Sequence, residues 1–224
     1  NDMDSEVVNV FQVLRDSAKS LELQTLLKLT PFSREEFNLA HEPCEGSVER
    51  ARRTIVRSFM GHGADSTTRK NRSGFRAKSF GSNRDASKDW LNYSPQLPIF
   101  CDRLGGVIIE NREAVKVMEG NDGLTTLHYV DPPYPMDTRS SGEKHGYRFE
   151  MTNDDHLKLC EFLKSLKGMI VLSGYATELY SYLGWQTVTC RALADGAAER
   201  LEVLWLNDAA VKGHSQMKLF EATK

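Results

Sequence analysis

The chain has 224 residues, 40% of them hydrophobic, and a formal net charge of −2, enough apolar material for a sizeable core in one or two domains. No apolar run approaches the roughly 18 residues of a membrane-spanning helix, and the acidic, polar opening Asn1–Glu6 lacks the basic-then-apolar order of a secretory signal. Cys44, Cys101, Cys160 and Cys190 are dispersed, with no Cys-x-x-Cys pair and no neighbouring His-x-x-x-His, so composition argues against a metal site and a disulfide framework, and for free thiols in a reducing cytoplasm.

The charge is unevenly distributed. Residues 50–84 carry ten Lys or Arg (Arg50, Arg52, Arg53, Arg57, Arg69, Lys70, Arg72, Arg76, Lys78 and Arg84) against the single acid Asp65, leaving nineteen basic and thirty acidic residues elsewhere. The pattern is an acidic body with one basic insert.

In chain order, Val7, Val8, Phe11 and Leu14 at helical spacing predict a first helix from about residue 5, with Asp4 or Ser5 as N-cap. Ser33 followed by Glu36 reads as a capping box opening a short helix through Phe37 and Ala40. From Ser47 to Met60, Val48, Ala51, Ile55, Val56 and Phe59 line one face while Arg50, Arg53 and Arg57 fall on the other, predicting a helix that holds out three guanidiniums. Residues 61–95, rich in Gly, Ser, Asn and Arg with scattered aromatics, read as a long loop region. Val107–Ile109 and Leu127–Val130 read as buried parallel strands with a helix around Val115 and Met118 between them. A helix over about 154–166 (Leu157, Cys160, Leu163 and Leu166 inward), a strand over 169–172 and a helix over 177–183 follow. Strands over 186–190 and 201–206 come last, joined through the turn signal Asp195-Gly196. The expected class is α/β, the sheet ending in an antiparallel pair.

The strand 127–130 runs into Asp131-Pro132-Pro133-Tyr134-Pro135, which sets a carboxylate, two rigid prolines and an aromatic ring at the carboxyl end of a strand, the edge where open α/β sheets bind ligands. Asp131-Pro132-Pro133-Tyr134 resembles the catalytic motif of S-adenosylmethionine-dependent methyltransferases that modify the exocyclic amino group of adenine or cytosine in nucleic acid. The chemistry suits the residues. Such a nitrogen has its lone pair delocalised into the ring. If the Asp131 carboxylate and the Pro132 carbonyl each accept one of its N–H groups, the lone pair is directed at the incoming methyl. Pro132 and Pro133 fix the backbone, and Tyr134 offers a stacking face for a base flipped out of the duplex.

The resemblance extends along nearly the whole chain. Asn1-Asp2-Met3-Asp4 and the helix after it are similar to the end of the second strand in the DNA adenine methylase (Dam) family, which implies that Asp2 holds the cofactor's ribose hydroxyls. Residues 107–114, Val-Ile-Ile-Glu-Asn-Arg-Glu-Ala, are similar to the family's next strand and its polar exit, which implies cofactor-facing roles for Asn111 and Glu113. Residues 52–63 and 202–207 are similar to phage-type and prophage-type members. The resemblance implies a class I Rossmann-like methyltransferase sheet, incomplete at its N-terminus, with a mainly helical and loop target-recognition insertion. Its expected domains are residues 1–16 and 101–224 for the catalytic part and 17–100 for the insertion. It implies S-adenosylmethionine as cofactor, double-stranded DNA as partner, no metal or membrane, and the cytoplasm of a bacterial or phage-infected cell. In the insertion Arg53, Arg57, Arg69, Lys70, Arg72, Arg76 and Lys78 are the expected DNA contacts, with Phe75, Phe80 or Trp90 available to stack or wedge.

One departure stands out: the family's Phe-x-Gly-x-Gly turn, which approaches the methionine part of the cofactor, is not in this sequence, so the chain reads as one that begins after the first strand. N6-adenine methylation is the expected activity. The alternatives are cytosine-N4 methylation, which the same acceptor geometry suits, and a catalytically incomplete DNA-binding fragment. His156 reads as a surface residue at a helix start, and Ser173-Gly174-Tyr175 either lines the base pocket or forms a strand-to-helix turn.

Overall fold

A computed structural model describes residues 1–62, 72–77, 86–138, 148–193 and 199–213, with no side-chain description for 192, 193, 199 and 200. The chain forms two compact units, Asn1–Arg112 with His145–Arg148, and Glu113–Lys144 with Phe149–Lys224. In the first unit the first helix shares its core with the helices that follow it.

The first unit is helical among its described residues: α1 (Ser5–Leu14), α2 (Ser17–Leu29), α3 (Arg34–Leu39), α4 (Ser47–Met60), α5 (Ala86–Tyr93) and α6 (Leu97–Arg103). Asp4 caps α1 by accepting the Glu6 N–H at 2.9 Å, and Asp16 caps α2 by accepting from Ala18 and Lys19. The apolar stripe of α4 (Val48, Ala51, Ile55, Val56) packs against Val13 and Leu14 of α1, Leu23 and Leu27 of α2 and Phe37 of α3. Each buried Val, Leu, Ile or Phe here contributes about 1.5–3 kcal/mol by leaving water.

Three expectations change here. Ser33 does accept the Glu36 N–H, but the Glu36 carboxylate turns to Arg52 Nη1 at 2.8 Å instead of closing a capping box. A helix stands at 86–93 where a loop was expected, because Trp90 is buried and its Nε1–H donates to the Thr30 carbonyl at 2.8 Å. Val107–Ile109 forms no strand: Ile108 is 83% exposed, and the backbone bond here runs from Asp2 N to the Glu110 carbonyl, one bond and not a ladder.

The second unit is α/β. It contains α7 (Ala114–Asn121), β1 (Leu127–Val130), α8 (Asn153–Ser165), β2 (Met169–Tyr175), α9 (Glu178–Ser181), β3 (Gln186–Leu193) and β4 (Glu199–Leu206). The four strands lie in the order β1-β2-β4-β3, β1 parallel to β2 and the other pairs antiparallel. Thr152 and Asp155 form a reciprocal capping box that opens α8. The core gathers Val130, Cys160, Leu163, Ile170, Leu172, Tyr180 and Trp205. Burial pushes the Cys160 thiol up to about 11, so it packs as a small hydrophobe.

Two predicted burials differ. Leu157 of α8 is exposed, and Leu127 and Tyr129 of β1 face outward, because side chains alternate along β1 and only His128 and Val130 turn to the core.

The amino edge of the parallel pair is tightly bonded. Asp122 accepts the Lys167 and Gly168 N–H groups at 2.9 and 3.0 Å, and the Thr126 carbonyl accepts the Met169 N–H at 2.8 Å. Asn207, just past β4, accepts from Ile170 N and donates to the Gly168 carbonyl. This fastens the starts of β1 and β2.

Candidate active site

Parallel register sets Val130 opposite Leu172, so the next residues, Asp131 and Ser173, stand level where β1 ends and β2 runs on to Tyr175. The Ser173 hydroxyl donates to Asp131 Oδ1 at 2.8 Å. Asp131 itself is exposed, and no group among the described residues donates to Asp131 Oδ2 or to the Pro132 carbonyl. Among the described residues, two hydrogen-bond acceptors on adjacent residues at the end of β1 thus have room for a donor. Tyr134 folds back onto Tyr175 of β2, ring centroids 4.5 Å apart. Pro133 lies between these groups, Pro135 is buried, and the segment then turns through Met136–Thr138, with Thr138 donating to the Pro135 carbonyl.

An aromatic floor lies below. A Cβ on Gly174 would sit 3.6 Å from Tyr180, 3.7 Å from Trp205 and 4.0 Å from Tyr134, so the strand passes close beneath all three rings. Tyr180 meets Trp205 edge to face at 5.0 Å, and its hydroxyl lies 2.7 Å from His156 Nδ1. Burial drives the Tyr180 phenol well above the tyrosine range. His156 is 0% exposed, so the surface position expected for it is corrected: it faces inward from α8, where Tyr180 gives its ring a polar partner. Sequence reasoning missed Tyr180 and Trp205 as the underside of this site, since nothing local to either residue signals it.

The residues expected at the cofactor fall in both units. Asp2 and Asn111 are brought together in the first: Asn111 Nδ2 donates to the Asp2 carbonyl at 2.9 Å, and Asn111 Oδ1 accepts from the Ser5 hydroxyl at 3.0 Å. Both ends of the Asn111 amide are therefore used in clasping residues 2–5. Asp2 Oδ1 accepts the Asp4 N–H at 2.7 Å, while no described residue donates to Oδ2. Glu113 belongs to the second unit, where it is exposed and paired with Lys116 at 3.1 Å.

The expected DNA-contacting arginines separate sharply. Arg53 is not held out to solvent. It donates to Glu49 Oε1 at 2.6 Å and to the Leu39 and Glu42 carbonyls at 3.0 and 2.8 Å. Arg57 donates to the Ala40 carbonyl at 2.6 Å and to the Thr54 hydroxyl, and burial lowers its guanidinium from the usual value. Arg50 pairs with Glu6 at 2.6 Å. The supposed open face of α4 is covered by the end of α3 and the turn after it, whose orphan carbonyls need donors. Arg52, on the buried side, makes a bidentate pair with Glu49 and reaches Glu36 and Thr30. The Glu49 hydrogen bonds raise its pKa further.

Arg72 lies over the Phe37 ring at 5.4 Å and donates to Asn38 Oδ1. Arg76 donates its backbone N–H to the Met60 carbonyl, and none of the described carboxylates pairs with its side chain. Phe75 is packed between Phe32 and Phe37, and Trp90 is buried, so neither is available as a wedge. Arg69, Lys70, Lys78 and Phe80 lie outside the described residues.

Among the described residues no helix is long and apolar enough to cross a membrane, and no group of three or more His, Cys, Asp or Glu could hold a metal ion. No family model and no curated protein matches the chain.

Proposed function

We propose that the carboxyl end of β1 is the catalytic centre of an S-adenosylmethionine-dependent DNA methyltransferase acting on the N6 amino group of adenine. The observation that carries the reading is that no described residue donates to Asp131 Oδ2 or to the Pro132 carbonyl, two acceptors on the adjacent residues that lead to Tyr134. An amino group presents two N–H donors, and these two acceptors meet that need while leaving the nitrogen lone pair directed outward. Tyr134, braced by Tyr175, gives an extruded base a surface to stack on. Asp131 is exposed, so the amino proton can leave to water and the carboxylate acts by orienting and by charge.

The sheet is compatible with the carboxyl-side half of a Rossmann-like methyltransferase sheet: a parallel pair, then a reversed last strand inserted between β2 and β3. For the cofactor, Asp2 fits best, since one of its oxygens accepts from no described residue and could receive a ribose hydroxyl. Asn111 would act by holding the Asp2 backbone in place. The cofactor, when bound, supplies a methyl group activated on a sulfonium. Of the expected phosphate contacts, Arg72 and Arg76 are described cations tied neither to a described carboxylate, as Arg53 is, nor to the backbone carbonyls after α3, as Arg53 and Arg57 are. Arg53 and Arg57 serve the fold.

The test is product identity. The full gene product, incubated with methyl-labelled S-adenosylmethionine and duplex DNA, should place label in N6-methyladenine when the DNA is digested to nucleosides. Label in N4-methylcytosine would keep the mechanism and change the base. Label in no nucleoside would overturn the reading.

A further inference from the structure

We infer that Ser173 is a positioning residue of this site: its hydroxyl ties one oxygen of Asp131 so that the other alone is presented to the amino group. The inference rests on the reading of Asp131 given above and extends it to β2.

Ser173 interrupts an apolar run, Met169-Ile170-Val171-Leu172, and is only 8% exposed. A buried hydroxyl costs free energy unless it is hydrogen-bonded, and Ala or Val would suit a strand core better. The hydroxyl is not spent on its own strand. It reaches across to β1, donating to Asp131 Oδ1 at 2.8 Å, with the Val130 carbonyl 3.4 Å away. The reach follows from register, because the parallel pairing that sets Val130 opposite Leu172 brings the following residues abreast.

An exposed aspartate just past the end of a strand can otherwise turn about both side-chain bonds. A hydrogen bond from a hydroxyl fixed in the sheet restricts that freedom and leaves Oδ2, to which no described residue donates, for a substrate. Two residues further along β2, Tyr175 holds Tyr134 in the same way, by ring packing at 4.5 Å. Alternate residues of one strand thereby set both chemical members of the Asp131–Tyr134 segment. Ser173 touches no reacting atom and acts through Asp131.

The experiment compares Ser173→Ala, Ser173→Thr and Ser173→Cys with the parent and with Asp131→Ala in the full gene product. It reads kcat, KM for DNA and melting temperature. Ser173→Ala should lower kcat roughly 10- to 100-fold, the worth of a hydrogen bond to a charged group expressed wholly in orientation. KM and melting temperature should be nearly unchanged. Thr, which keeps the hydroxyl, should restore most of the rate, and Cys, a near isostere with a weak donor, should fold normally and remain slow, so an unstable Ala variant does not blunt the test. If Asp131→Ala is inactive but the Ala and Cys variants both turn over within about twofold of the parent, the tie is dispensable and the inference falls while the reading of Asp131 stands. If the rate falls only in step with melting temperature, and Thr does not restore it, Ser173 is structural. An active Asp131→Ala would remove the reading itself.

Discussion

Asp122 and Asp131 flank the same strand, one before β1 and one after it, and they are used in opposite ways. Asp122 has both oxygens engaged: Oδ2 accepts the Lys167 N–H, and Oδ1 accepts the Gly168 N–H and lies 3.2 Å from His128 Nε2. Asp131 has one oxygen tied by a hydroxyl and the other unclaimed by any described residue. A carboxylate saturated by backbone amides and an imidazole joins loops together. One held by a single strand-borne hydroxyl, exposed and half engaged, has capacity left for a substrate. The amino edge of this sheet is therefore read as structure and the carboxyl edge as chemistry, as expected where parallel strands end in open loops.

Substitutions at the amino edge should cost stability and spare turnover. The largest such effect is expected at Gly168, where an added Cβ would lie 2.7 Å from the Thr126 carbonyl oxygen and 3.0 Å from that of Gly123. Both obstacles are backbone and cannot swing aside. Gly168→Ala should destabilise the protein by about 1–3 kcal/mol, seen as a lowered melting temperature, with methyl transfer per folded molecule little changed. An unaltered melting temperature would show that this edge yields more readily than its bonding implies.

A smaller, pH-dependent effect is expected at Asp122. The Lys167 amide first, then the bonds from His128 and Gly168, hold its carboxyl below the usual 3.8. A carboxylate whose pKa is depressed on folding contributes stability above its unfolded value and loses it as the pH falls through the folded value. Asp122→Asn should therefore be less stable at neutral pH and lose less stability than the parent below about pH 4. Urea unfolding midpoints across that range would read the difference. Parallel pH profiles for the two proteins would contradict the assignment.

What could be read from the sequence follows how local each feature is. The helix 47–60 and the strand 127–130 depend on spacing within a short window, and each lies where its pattern puts it. Arg53 and Arg57 look free in sequence because the carbonyls of Leu39, Ala40 and Glu42 that capture them belong to another element. Val107–Ile109 has the composition of a strand, but a strand needs a ladder, and composition says nothing of the partner. His156 is polar at a helix start, and its burial is offset by a partner on another element, the Tyr180 hydroxyl. The Ser173–Asp131 bond is of the same kind: both residues are visible in sequence, and only register joins them.

The central claim is that the half-engaged carboxylate at the carboxyl edge does the chemistry, and Asp131→Ala tests it most directly. Because Asp131 is exposed and its one described bond is to Ser173, the substitution should leave melting temperature and DNA affinity nearly unchanged. Methyl transfer to DNA by the full gene product should fall by about 100-fold or more. Transfer within a few-fold of the parent, at equal folded protein, would contradict the account.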